Sequence, residues 1–131
     1  MRGSLSTVSA ISLFVEDVPT AKRFYQDVFD APVVYEDEVS VAMKFDDVVI
    51  NLLHSSQAPG LVAPAPVAPA AAGSRFQLSI WVDDVDAVCV QLGERGVKLL
   101  TGPEDKPWGL RAATFTDPDG HSWEVAQRLD T

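Results

Sequence analysis

Two short stretches decide the fold of this chain: "LFVEDV" at residues 13–18 and "IWVDDV" at residues 80–85. Each stands where the apolar period changes. In "SAISLFVEDVPTAKRFYQDVFDA", residues 9–31, apolar side chains first alternate and fill both faces, which predicts a buried strand over about 8–15. From Asp17 the period becomes helical. Asp17 can cap, Pro19 suits a first turn, and Ala21, Phe24, Tyr25, Val28 and Phe29 recur at helical spacing. The stretch "FQLSIWVDDVDAVCVQLGERGVKLL", residues 76–100, repeats the pattern: a strand at about 75–82, a helix from about Asp84 to Arg95, and Gly96 placed to cap its C-terminal end.

Superposing the two stretches sets Val15 on Val82 and Asp17 on Asp84. Three β-type runs follow each helix: "PVVYEDE", "SVAMKFDD" and "VVINLLH" in the first half, "VKLLTGPED", "GLRAATFTD" and "HSWEVAQ" in the second. Between the halves, residues 55–74 are rich in Pro, Ala, Gly and Ser, and are expected to form an exposed, mobile linker unable to sustain a helix or central strand. The chain therefore reads as an internal duplication of βαβββ units, an α+β fold within a single domain spanning residues 1–131. Module one covers about 6–54 and module two about 75–129. Each helix covers one face of its sheet, and the expectation is that the two mixed sheets pair around a central cleft.

The 131 residues carry 19 acidic and 10 basic side chains, a net charge of −9, with no Lys/Arg cluster of the kind nucleic acid or anionic lipid requires. The same field favours a cationic small molecule. No apolar run approaches the roughly 20 residues of a membrane helix, and "MRGSLSTVSA" lacks the apolar stretch of a secretory signal, so a cytoplasmic location is expected. The single cysteine, Cys89, excludes an internal disulfide and reads as helix packing.

"TFTDPDGHSWEVAQ", residues 114–127, concentrates acids and a histidine, yet "DPDG" is first a turn: Asp117 can accept backbone hydrogen bonds, Pro118 fixes φ, and Gly120 tolerates positive φ. An EF-hand reading fails on the glycine position and the ligand alternation. His121 reads as an edge group opening the last strand. Strand alternation sets Glu124 opposite Trp123 and Val125, so it points away from the helices, to be met by Arg111, by the Gln77 amide or by a ligand's amine or guanidinium. Trp108, between Pro107 and Gly109, has no periodicity to bury it and offers an indole plank for a planar or cationic ligand.

The doubled βαβββ pattern, the joint "FVEDVPTAKRFYQDVF", the loop "PWGLRAATFTDPDG" and the closing "HSWEV" resemble the vicinal oxygen chelate superfamily, which includes glyoxalase I, extradiol dioxygenases, fosfomycin-resistance enzymes and bleomycin-resistance proteins. The resemblance covers nearly the whole chain outside the proline-rich linker. It implies four cleft-facing metal positions, on the first and last strands of each half, which fall here on Ala10, Asn51, Gln77 and Glu124. Only Glu124 is a good ligand, and zinc, iron or a hard divalent cation wants three or more strong ones. His54 and His121 lie three residues from Asn51 and Glu124, on the opposite faces of their strands. In the metal-free drug-binding members, the loop that carries Trp108 commonly presents such a tryptophan at the pocket mouth.

The resulting expectation is a protein that needs no metal or cofactor and sequesters an organic molecule, a cationic or aromatic antibiotic or related natural product. Trp108 and Trp81 would stack, Asn51 and Gln77 orient, Ser79 and Phe14 line the site, Glu124 supply charge, and Arg111 complete the ligand-binding set. The alternatives are a metal-dependent lyase or dioxygenase, a metal-free isomerase with Glu124 as general base, or a domain whose role is protein interaction. A homodimer is expected from the resemblance.

Overall fold

A computed structural model describes residues 5–129. The chain divides into two compact units, Met1–Ala68 and Pro69–Thr131. The first contains β1 (Ala10–Val15), α1 (Val18–Phe29), β2 (Val33–Glu36), β3 (Ser40–Phe45), β4 (Val48–His54) and a five-residue helix, α2 (Ala58–Val62). The second contains β5 (Gln77–Trp81), α3 (Val85–Glu94), β6 (Thr101–Asp105), β7 (Leu110–Thr116) and β8 (Ser122–Arg128). The sheets have the orders β1-β4-β3-β2 and β5-β8-β7-β6, each with one parallel pair, β1/β4 or β5/β8, and two antiparallel pairs. The duplication legible in "LFVEDV" and "IWVDDV" is thus a duplication of sheet topology.

The capping acids act as their sequence positions dictate. Asp17 is extended (φ −136°) and accepts a 3.0 Å hydrogen bond from Thr20 N, with Pro19 in the first turn. Asp84 (φ −143°) accepts from Ala87 N at 3.1 Å. Both satisfy helix N–H groups that have no partner in their own helix. α3 ends in the double bond of a Schellman motif, Val97 N to Leu92 O and Gly96 N to Gly93 O, which requires the left-handed backbone Gly96 supplies (φ +88°).

Burial follows the two periods. In α1, Val18, Ala21, Tyr25 and Val28 face inward, onto Leu13 and Val15 of β1, Val41 and Met43 of β3, and Ile50 and Leu52 of β4. The Tyr25 ring stacks on Phe29 at 5.4 Å and meets Phe24 and Phe45 edge-on. In the second unit Val85, Cys89 and Leu92 of α3 are buried, as are Ala113 and Phe115 of β7 and Trp123 and Val125 of β8. Each fully buried aliphatic or aromatic side chain contributes roughly 1.5–3 kcal/mol.

The expectation for residues 55–74 needs correction. Ser55–Gln57 and Ala70–Ala72 form single 3-10 turns, and α2 forms within the Pro-rich stretch with Ala58 wholly buried. Helix is possible here because Pro59 falls in the first turn, where its missing N–H leaves no bond unmade. Among the described residues, no helix is long and apolar enough to cross a membrane.

Candidate functional site

Alternation leaves each sheet a second face turned away from its own helix. In the first unit the parallel register pairs Ala10 with Val49, Ser12 with Asn51 and Phe14 with Leu53, so Ser12, Phe14, Val49 and Asn51 share that face. Asn51 Nδ2 donates to Ser12 Oγ at 3.4 Å.

In the second unit Gln77 pairs with Ser122, Ser79 with Glu124 and Trp81 with Ala126. Gln77 Nε2 donates to Ser122 Oγ at 3.0 Å, and Ser79 Oγ donates to Glu124 Oε1 at 2.8 Å. Glu124 is half-buried, and its Oε2 accepts no hydrogen bond among the described residues. The flanking Trp123 and Val125 are buried on the helix side, as alternation required. Trp81 stands out from the same face with 60% of its surface exposed.

Arg111 does not join this group. Its cross-strand partner is Gln127, whereas Glu124 pairs with Thr114, three residues from Arg111 and so on the opposite face. The guanidinium instead bridges Asp86 of α3 (Nε 2.9 Å, Nη2 3.0 Å) and Asp105 of β6 (2.9 Å). That pairing raises the guanidinium's already high pKa, and the Arg111 hydrogen bonds hold the Asp86 carboxyl below its usual range. Arg111 ties helix to sheet; it meets neither Glu124 nor a ligand on the Glu124 face. Glu124's internal partner is the Ser79 hydroxyl, not Arg111 or the Gln77 amide.

Trp108 occupies the β6–β7 turn closed by Gly109 N to Lys106 O, is 66% exposed, and carries the Lys106 ammonium 6.0 Å from its ring. Sequence reasoning missed Arg128: its guanidinium lies over the Trp81 ring, 5.0 Å from the centroid. It sits four residues beyond Glu124 on the same strand, hence on the same face, and that parity was available in the sequence.

The histidines have structural partners. His54 Nδ1 accepts from Ser56 N at 3.1 Å and caps the turn after β4. Asp117 is buried; its Oδ1 accepts from Asp119 N and His121 N, and its Oδ2 lies 2.8 Å from His121 Nδ1. "DPDG" is thus the turn its composition announced, with Gly120 at φ +87°. Burial opposes protonation of His121, but the Asp117 hydrogen bond and the Asp117 and Asp119 charges outweigh it and lift the imidazole pKa above its usual 6.5.

A model of the glyoxalase/bleomycin resistance protein/dioxygenase superfamily matches residues 7–125. The chain belongs to this superfamily. It is 34% identical over 124 residues to the uncharacterized protein YraH of Bacillus subtilis, covering 91% of this chain and 96% of YraH. A superfamily protein of Nocardioides shares the fold, with a TM-score of 0.85 at 20% identity, over 98% of this chain and 87% of that one. TnmS3, an antibiotic binding protein of Streptomyces sp. CB03234, superposes with a TM-score of 0.70 at 28% identity, over 97% and 99% of the two chains.

Some superfamily members use a metal, so the donors at the corresponding positions matter. Ala10 offers none. Asn51 and Gln77 offer neutral amides, each donating to a serine hydroxyl, and Glu124 is the only charged group. One carboxylate and two amides do not make the set of three or more strong ligands that zinc, iron or a hard divalent cation requires. Among the described residues, no three His, Cys, Asp or Glu side chains group to hold an ion elsewhere.

Proposed function

We propose that this superfamily member binds and sequesters a planar aromatic organic molecule, of the antibiotic or related natural-product class, on the open face of the β5–β8 sheet. The observation that carries the reading is the exposed Trp81 indole beside the hydrogen-bonded Ser79–Glu124 pair. The indole supplies a stacking plane, while the carboxylate keeps an oxygen for a donor on the ligand. An aromatic surface beside a few fixed polar groups is the combination of side chains that lines small-molecule sites. The superfamily's description includes resistance proteins, and the similarity to an antibiotic binding protein supports the same reading.

The poor metal-ligand set at Ala10, Asn51, Gln77 and Glu124 favours binding over metal-assisted chemistry. The Glu124 carboxylate could alternatively abstract a proton in a metal-free isomerase; in that case Glu124→Gln would abolish turnover while leaving substrate affinity largely intact. Homodimerisation belongs to the same proposal and is supported by exposed apolar groups on β2, Val34 and Tyr35 at 56% and 57%. Sedimentation would test it.

The test of the binding function is a tryptophan-fluorescence titration with a panel of polycyclic aromatic antibiotics. Saturable quenching that Trp81→Ala removes is the expected result. Flat titrations across the panel, or tight stoichiometric metal bound through Glu124, would overturn it.

A further inference from the structure

One face of the Trp81 ring is already covered by a cation, while the indole stays 60% exposed. Arg128 lies over the ring at 5.0 Å, within the range of a cation–π contact, and forms no ion pair among the described residues. It is the exposed last residue of β8, cross-strand from Leu110. Glu124 stands on the same strand face, roughly 13 Å back along the chain at the usual strand rise. The face therefore presents an acid held by Ser79, an exposed indole, and a guanidinium beyond it, in that order.

From this juxtaposition we infer that Arg128 is a specificity-determining residue, selecting an aromatic ligand that bears an anionic group and disfavouring one whose ring carries only a cation. The inference rests on the binding reading above and names its ligand class. A carboxylate, phenolate or sulfonate on a ring stacked at Trp81 meets the guanidinium with charge-assisted hydrogen bonds. A cationic ring must displace Arg128 or accept a like charge beside it. The overall charge of −9 pulls the other way, but ions screen distant charges over about 8–10 Å, so the nearest charge decides. An amine at the far end of the same ligand remains compatible, because it meets Glu124. The preferred molecule is thus amphoteric, acidic at Arg128 and donor-bearing at Glu124.

Calorimetric titration with two probes on one ring system, anthracenecarboxylate and anthracenylmethylammonium, tests this directly. The wild-type protein should bind the carboxylate about tenfold more tightly than the ammonium. Arg128→Gln should erase or invert that ratio, and Arg128→Lys should largely preserve it. Lys98→Gln, the same charge change at an exposed lysine in the α3–β6 connection, should leave it unaltered. Tighter wild-type binding of the ammonium, or a ratio that Arg128→Gln does not move, overturns the inference while leaving aromatic binding intact. If neither probe binds the wild-type protein, the binding reading fails and the inference falls with it.

Discussion

Ser79 donates a 2.8 Å hydrogen bond to Glu124 across the parallel β5–β8 pair, and at the equivalent place in the first unit Asn51 donates to Ser12 across β1–β4. The duplicated joint therefore repeats a polar pair as well as a topology. Only the second copy is charged, and under the proposed function that asymmetry is what places the ligand on the second unit's sheet.

Glu124→Gln removes the charge but keeps the shape of that pair. For an aromatic ligand bearing an amine, affinity should fall by about 1.5–3 kcal/mol, the usual worth of a hydrogen bond to a charged group. Ser79→Ala should cost less, about 1 kcal/mol, by releasing the carboxylate from its fixed rotamer. Calorimetric titration of both variants checks the order; equal losses would contradict it.

The His121–Asp117 contact makes a prediction about pH. The native imidazole holds its proton more tightly than the unfolded chain, whose value is near 6.5. The contribution is fully present below that pH and is lost as pH rises through the native pKa, so unfolding free energy should decline above about 6.5. His121→Gln should flatten the curve in this window, as read by urea denaturation at successive pH values. A wild-type curve already flat there would contradict the assignment. Asp117→Ala, which removes the acceptor of two backbone N–H groups in a part-buried turn, should cost about 1–3 kcal/mol per lost hydrogen bond, and more below the His121 transition than above it, because the imidazolium contact is lost as well.

Gly102 and Gly109 separate two roles of glycine. Both have positive φ, +81° and +85°. A Cβ on Gly109 meets nothing, so Gly109→Ala should cost about 1–2 kcal/mol for the left-handed backbone alone. A Cβ on Gly102, at the irregularity in the β6–β7 register, runs into the Ala112 carbonyl oxygen and lies 2.9 Å from Ala113 Cα. Gly102→Ala should therefore lose distinctly more, measured as a lower urea midpoint; equal midpoints would argue against so close an approach.

The caps offer a paired test of the duplication. Asp17→Ala and Asp84→Ala should each lower stability by about 1 kcal/mol, since each removes one side-chain acceptor from a helix N-terminus. Thermal unfolding of the two variants should show similar losses.

The fold was legible because local signals agreed. Asp17, Pro19 and the spacing of Ala21, Tyr25 and Val28 marked one helix, and Asp84 with Gly96 marked the other. Alternation sufficed to place Glu124 opposite Trp123 and to group Gln77, Ser79 and Trp81, because side-chain direction within a strand follows from sequence parity alone. Arg111 was misplaced because its face depends on the register between β7 and β8, and no single strand encodes its register against another. The helix at Ala58–Val62 was missed because prolines were counted as breakers without regard to their place in the first turn. The stack of Arg128 on Trp81 depends on side-chain reach between strands, which the pattern of residues does not contain.

The most direct test of the central claim is an amide NMR titration of the full chain with an amphoteric polycyclic aromatic antibiotic. The account predicts saturable shifts centred on Ser79, Trp81, Glu124 and Arg128, including the Trp81 indole N–H, with α3 undisturbed. Shifts centred elsewhere, such as the surface groove lined by Lys22, Arg23, Glu36 and Asp37, or no shifts at saturating ligand, would contradict it.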